Sequence, residues 1–173
     1  MNDAESKQTE LRSSLIKGLQ RNHTKAKFLP MHELKRLVNE QRIKAILNDD
    51  HLTNWVLANA PKIFAILVLS KKAPDIIPNC KAQGFVDADL PALKESVLTS
   101  MGMDDDTRLN FETQQWFFLS PVLTTNNVPA RQLPEVHPDA PLPFTSMTRQ
   151  DGGGFSSIFK CQIHPAHLEN PKV

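Results

Sequence analysis

The sequence predicts a mainly α protein, with an N-terminal helical domain followed by an aromatic strand, a proline-rich connection and a small β-hairpin. Three observations carry this. Apolar residues recur at helical spacing up to about residue 100. Six of the thirteen prolines fall between residues 121 and 144, and a strand-prone stretch follows three consecutive glycines near the end. The boundaries implied are a disordered 1–9, a helical domain at 10–109, an aromatic segment and linker at 110–145, and a terminal β element at 146–173.

The elements follow in order. Leu11, Leu15 and Leu19 recur every fourth residue from Glu10, with Ile16 beside them, so residues 10–19 read as an amphipathic helix. Residues 20–27 read as a basic linker. Phe28-Leu29-Pro30 introduces a second helix with Leu34, Leu37 and Val38 on one face, and Asn39 is a plausible N-cap for a third with Ile43, Ile46 and Leu47. Thr53 could cap a short helix bearing Trp55, Val56 and Leu57. The apolar run 63–69 fits a buried helix or a buried strand by periodicity. The opening Pro61 and the closing Lys71 and Lys72 suit a helix. Pro78 confines residues 75–84 to short turns, and Asp89-Leu90-Pro91 could start a helix with Leu93, Val97 and Leu98. Gln115-Trp116-Phe117-Phe118-Leu119, closed by Ser120-Pro121, reads as a buried strand or extended segment.

Charge and cysteine content narrow the function classes. A formal net charge of +1 supplies no field for nucleic acid or an anionic membrane, so neither is an expected partner. The one short basic patch at 23–27 has no aromatic platform beside it. Residues 86–112 hold Asp87, Asp89, Glu95, Asp104, Asp105, Asp106 and Glu112 against Lys94 and Arg108, and read as a solvated loop surface. Asp104-Asp105-Asp106 lacks the alternating spacing and glycine of a calcium loop. Cys80 and Cys161 form no disulfide framework or zinc set, which points to an intracellular protein, cytoplasmic or nuclear. The run 63–69 is far shorter than the roughly 20 residues a bilayer span needs. His164 and His167 have metal-ligand spacing, but Pro165 opposes a helix and no third ligand is near, so they read as polar loop residues.

One stretch has the mechanics of a phosphate-binding loop: Asp151-Gly152-Gly153-Gly154-Phe155-Ser156-Ser157-Ile158-Phe159-Lys160. Three glycines let the backbone turn tightly and bring its N–H groups close to an anion, and a β-branched residue then begins a returning strand. As a bare motif it is equally a hairpin loop. Its surroundings add order: residues 115–123 with Pro121-Val122, then Leu142-Pro143-Phe144, then the glycines, then Ile163-His164-Pro165-Ala166-His167. Together these four elements resemble the start of the kinase domain in a family of fungal protein-kinase-like serine/threonine kinase-type proteins. The resemblance covers about 60 residues, and makes 146–173 a partial kinase-like N-lobe.

The resemblance implies that Gly152, Gly153, Gly154, Phe155, Ser156 and Ile158 form a nucleotide-binding loop. Gly153 stands at its second glycine, Phe155 at its tip and Ile158 above the base. Two positions depart: Asp151 replaces the first glycine, setting a carboxylate where a phosphate would approach, and Ser156 replaces the third. The strand lysine, the catalytic loop and the magnesium aspartate that phosphoryl transfer needs are absent. The residues Asn170-Pro171-Lys172-Val173 read like the start of the strand that would deliver that lysine, as in a chain truncated after the loop.

The expectation is therefore a non-catalytic fragment of a kinase-like protein, a helical regulatory module joined to an incomplete nucleotide loop. It is not an enzyme, and its cofactor is none, ATP and magnesium requiring the missing part of the domain. The alternative is a helical protein-interaction module that binds a partner through the segment 116–123, from Trp116 to Leu123, or through the helical face. In either case residues 153–163 are expected to form two strands around a glycine-rich turn, the second near 157–163. Phe155, Ile158, Phe159 and Ile163 are then expected to pack against the 116–119 segment.

Overall fold

A computed structural model describes residues 3–124, 136–150 and 157–169. The chain is mainly helical with a small terminal hairpin, as its periodicity implies. Helix α1 is Asp3–Gly18, which buries Gln8, Leu11 and Leu15. It begins well before Glu10, within the span expected to be disordered. Asp3 and Glu5 sit where the helix end is positive, and the Thr9 hydroxyl donates to the Glu5 carbonyl at 2.9 Å. The expected basic linker is a miniature antiparallel ladder, β1 (Gln20–Arg21) with β2 (Lys27–Phe28).

Helices α2 (Met31–Leu37), α3 (Glu40–Leu47) and α4 (Asp50–Asn59) follow. Asn39 caps α3 as its sequence suggests, accepting the Arg42 N–H at 3.1 Å. The cap of α4 is Asp49, which accepts the Leu52 N–H at 2.8 Å. Thr53, expected there, is instead a buried helical residue whose hydroxyl donates to the Asp49 carbonyl at 2.7 Å.

Helix α5 (Pro61–Leu69) settles the ambiguous apolar run as helix, opening with Pro61 where a missing N–H costs nothing. Every residue from 63 to 69 is buried, so α5 is the central rod around which the other helices pack. Its N-terminus is capped from outside. The Asp87 carboxylate accepts the Lys62 N–H at 2.8 Å and the Ile63 N–H at 3.0 Å. Two acids of the expected solvated stretch are thus structural, because Asp104 likewise caps α8 (Asp105–Gln114) through Thr107 N–H at 2.8 Å.

Helix α6 (Ala73–Gln83) overturns the expectation of short turns around Pro78. The N–H that Pro78 lacks would pair with a carbonyl of the helix's own first turn. Burial of Ala73, Ile76, Ile77 and Cys80 outweighs that single loss. Gly84 ends the helix at φ 68°, a left-handed position suited to glycine. Helix α7 (Glu95–Ser100) starts later than Asp89-Leu90-Pro91 implies, and Leu93, expected on its apolar face, is exposed.

The aromatic strand is also corrected. Residues Gln115–Phe118 continue α8 as a 3-10 turn. Buried Gln115 fixes it by accepting the Ala92 N–H at 2.8 Å and donating to the Ala92 carbonyl at 3.3 Å. Phe111 and Phe118 join the same core as Leu15 and Phe64, so the helical unit runs past the expected boundary at 109. Beyond it, β3 (Leu123–Thr124) pairs in parallel with β6 (Leu168–Glu169), and β4 (Phe144–Gln150) pairs antiparallel with β5 (Ile158–Ile163). The second strand expected near 157–163 is β5, while the first, β4, lies ahead of the expected span 153–163. Among the described residues no single helix is long and apolar enough to cross a membrane.

Candidate functional site

The β4–β5 hairpin is seated on the helical domain by its base, and two residues of the β1–β2 turn, Asn22 and His23, begin the seat. Asn22 is buried, and its carboxamide oxygen accepts the Thr24 N–H at 3.0 Å, the Thr24 hydroxyl at 2.8 Å and the Ala26 N–H at 2.9 Å. This Asx geometry closes the turn on itself. It leaves the amide NH2 to donate outward, to the Leu142 carbonyl at 3.0 Å. The next residue, His23, donates its backbone N–H to the Phe144 carbonyl at 2.8 Å and lays its ring 6.0 Å from the Phe144 ring.

The other half of the seat is His167, 1% exposed, on the 3-10 turn Pro165–His167. Its Nε2 accepts the Met31 N–H at 3.2 Å, and its Nδ1 lies 2.9 Å from the Pro121 carbonyl. An N–H donor on one side and a carbonyl on the other fix the neutral ring with its proton on Nδ1. Met31 opens α2, whose preceding Pro30 offers no side-chain cap. His167 supplies that cap from the far end of the chain. Burial holds its pKa below the ordinary imidazole range, the bond to Pro121 opposes this, and His164, His32 and Lys62 add to the lowering.

Phe28, fully buried, receives His167 edge-on at 5.4 Å and His164 edge-on at 5.8 Å. His164 in turn stacks on His32 at 5.9 Å and accepts the Ala166 N–H at 3.2 Å. Burial and then the His32 charge push its pKa down. These two histidines lie in the connection between β5 and β6, as their sequence suggests, and there they also pack and cap. No group of three or more His, Cys, Asp or Glu converges as a metal site among the described residues.

Away from the seat the hairpin has two unlike faces. The register pairs Met147 with Cys161 and Arg149 with Phe159, which places these four side chains on one face. Ser146, Thr148, Gln150, Lys160 and Gln162 occupy the other, with Ile158 at its outer end. The apolar face is covered near the base, where Phe144, Met147, Cys161 and Ile163 are partly buried, and opens outward to Phe159 at 50% exposure. Trp116 lies 4.7 Å from the His137 ring, and Phe118 points into the helical core.

Of the residues proposed for a nucleotide loop, Gly152, Gly153, Gly154, Phe155 and Ser156 lie outside the described residues. Ile158 stands at the start of β5, opposite Gln150 and 55% exposed. The 116–123 segment proposed for a partner is engaged internally at several points: Phe118 and Ser120 are buried, the Phe117 carbonyl accepts the Leu29 N–H at 2.7 Å, and Leu123 pairs with Leu168. On the helical face, an open groove of about 610 Å³ is walled by Phe85, Ala92, Val97 and Met101. Asp89 and Lys94 also line it, and their opposite charges favour neither sign of ligand. Sequence reading missed Asn22 and the capping role of His167. The Asn-x-Thr turn signal was available for the first, and nothing local marks the second. No protein-family model, curated protein or solved structure matches the chain.

Proposed function

We propose that this chain is a non-catalytic protein-interaction module, in which the helical domain holds the β4–β5 hairpin by its base and offers the hairpin's apolar face to a partner. The observation that carries the reading is the alternation on that face, where Met147, Cys161 and Phe159 run outward from the seat and Phe159 ends half exposed. A two-stranded sheet with one uncovered apolar face is marginal alone and gains from a covering surface. Arg149 opposite Phe159 favours a partner that is apolar at its centre and acidic at its edge. A photo-crosslinking residue placed at position 159 should give one discrete adduct that Met147→Asp abolishes. The same residue at position 109, on exposed Leu109 of α8, should give none. Equal crosslinking from both positions, or none from either, would overturn the reading.

A second reading is favoured by the strand register. Gln150 pairs with Ile158, so the strands that flank residues 151–156 in sequence are antiparallel, which supports the kinase-like resemblance. The chain would then be a non-catalytic kinase-like fragment, its helical domain regulatory and its nucleotide loop incomplete. Calorimetric titration with magnesium-ATP tests the incomplete loop: at best very weak binding is expected, and a dissociation constant in the low micromolar range would contradict it.

A further inference from the structure

We propose that the seat of the hairpin is an acid-sensitive latch, in which protonation of His167 frees the C-terminal strands from α2 while the helical core stays folded. The geometry requires a neutral ring. Nε2 must present a lone pair to the Met31 N–H, while Nδ1–H donates to the Pro121 carbonyl. A proton on Nε2 turns that contact into two donors facing each other at 3.2 Å, and the first N–H of α2 loses the cap that His167 supplies. One ring therefore joins three parts of the chain: the start of α2, the segment leading to β3, and the turn leading to β6.

The charged and titratable groups around the ring act in one direction. His164 on the same turn, His32 on α2 and Lys62 at the start of α5 all oppose a further positive charge. Glu33 on α2 does not offset them at His167, because it is engaged by Arg36 at 2.6 Å and lies 3.3 Å from His32. Glu169, on β6, has an interaction of its own. A second proton taken up by His164 adds to the same repulsion, so the latch opens more steeply once it begins to open.

The sign follows from linkage. The folded pKa of His167 lies below its ordinary value of 6.5, so the unfolded or released state binds the proton more readily. The latch is fully closed above about pH 6.5 and weakens as the pH falls below it. Each linked proton then lowers the closing equilibrium by up to about tenfold per pH unit. The helical core has no comparable dependence on this ring, since α5 is buried among apolar side chains. The latch does not depend on whether the hairpin has a partner.

Amide hydrogen exchange on the full chain tests this, with protection factors corrected for the intrinsic rate at each pH. The amides of Met31, His23 and His164 report the seat, and that of Phe64, bonded to the Ala60 carbonyl at 2.9 Å, reports the core. From pH 7.5 to 5.0 the seat amides should lose protection by about tenfold or more, and Phe64 should change less than about twofold. His167→Gln keeps a carbonyl acceptor for Met31 and an NH2 donor for Pro121 but cannot take up the proton. It should hold its protection flat across the range. Seat protection that is constant to pH 5.0 in the wild type, or an equal loss in His167→Gln, overturns the proposal. Should that variant fail to fold, the wild-type imidazole resonances decide. Proton uptake by His167 must coincide with loss of the seat amides, and an ordinary titration near 6.5 with those amides unaffected overturns it.

Discussion

Removing the Asp87 carboxylate tests how the central helix is started. Helix α5 follows Ala60, which caps nothing with its side chain, yet its first N–H groups face a crowded interior. Asp87, reaching back across the chain, accepts two of them at 2.8 and 3.0 Å. Losing an N-cap costs about 0.5–2 kcal/mol, and a negative charge at a partly buried helix start adds up to about 2 kcal/mol. The charge's share is offset, because burial pushes the Asp87 pKa above its ordinary value and so disfavours the ionised form, which leaves the two hydrogen bonds to carry the effect. The net expectation for Asp87→Ala is about 2 kcal/mol, or a fall in Tm of about 4–8 °C for a chain of this size. Asp87→Asn keeps one acceptor oxygen and should lose about half as much. Because the folded pKa is raised, wild-type stability from this group declines as pH rises from about 3.8 through the folded value, and the gap to Asp87→Asn narrows in that window. Urea unfolding followed by helical circular dichroism measures both variants. An Asp87→Ala change within about 0.5 kcal/mol of wild type would refute the capping argument.

Asn22→Ala removes four hydrogen bonds at once, three closing the β1–β2 turn and one holding the Leu142 carbonyl. It should cost about 2–4 kcal/mol by urea unfolding, and loss of less than about 1 kcal/mol would mean that the turn is held by other contacts. The two thiols should react unequally with a disulfide reagent in the native protein. Cys161 should label, while Cys80, buried with its pKa pushed up to about 12, should stay silent until denaturant is added. Two thiols labelling at one rate would contradict the burial of Cys80. Phe64→Ala, in the wall of the fully buried rod, should cost about 3–5 kcal/mol, and a cost below about 1.5 kcal/mol would place Phe64 at the periphery.

What the sequence makes legible here is what is encoded within one turn of helix. Leu34 with Leu37, Ile43 with Ile46, and Asn39 before them specify α2, α3 and their junction, and the structure places all five as their spacing implies. Pro78 misleads because a local rule counts the lost hydrogen bond and cannot count the burial of Ile76, Ile77 and Cys80 around it. The 115–118 stretch misleads in another way. A short aromatic run fits a buried strand or a buried turn, and the choice is made by Gln115 bonding to Ala92, well before it in the chain.

The seat was hidden for the same physical reason. Asn22 meets Leu142 across 120 residues and His167 meets Met31 across 136, so no window of sequence contains either pair. The Asx turn at Asn22 has a local signature, but what its amide NH2 reaches has none. The alternation that makes one hairpin face apolar is legible once the register of Met147 against Cys161 is known. The first strand, expected within 153–163, lies at Phe144–Gln150, because the partner of 158–163 is chosen by cross-strand pairing that no local window contains.

The central claim is that the hairpin is held on the helical domain through the rings of His167 and Phe28. Nuclear Overhauser effects at pH 7.5 measure this most directly, because the two ring centroids lie 5.4 Å apart and belong to opposite ends of the chain. The account predicts cross-peaks between the His167 and Phe28 rings, together with a Met31 amide protected from exchange. It is contradicted if those cross-peaks are absent and Met31 exchanges freely while the core contacts of Phe64 remain intact.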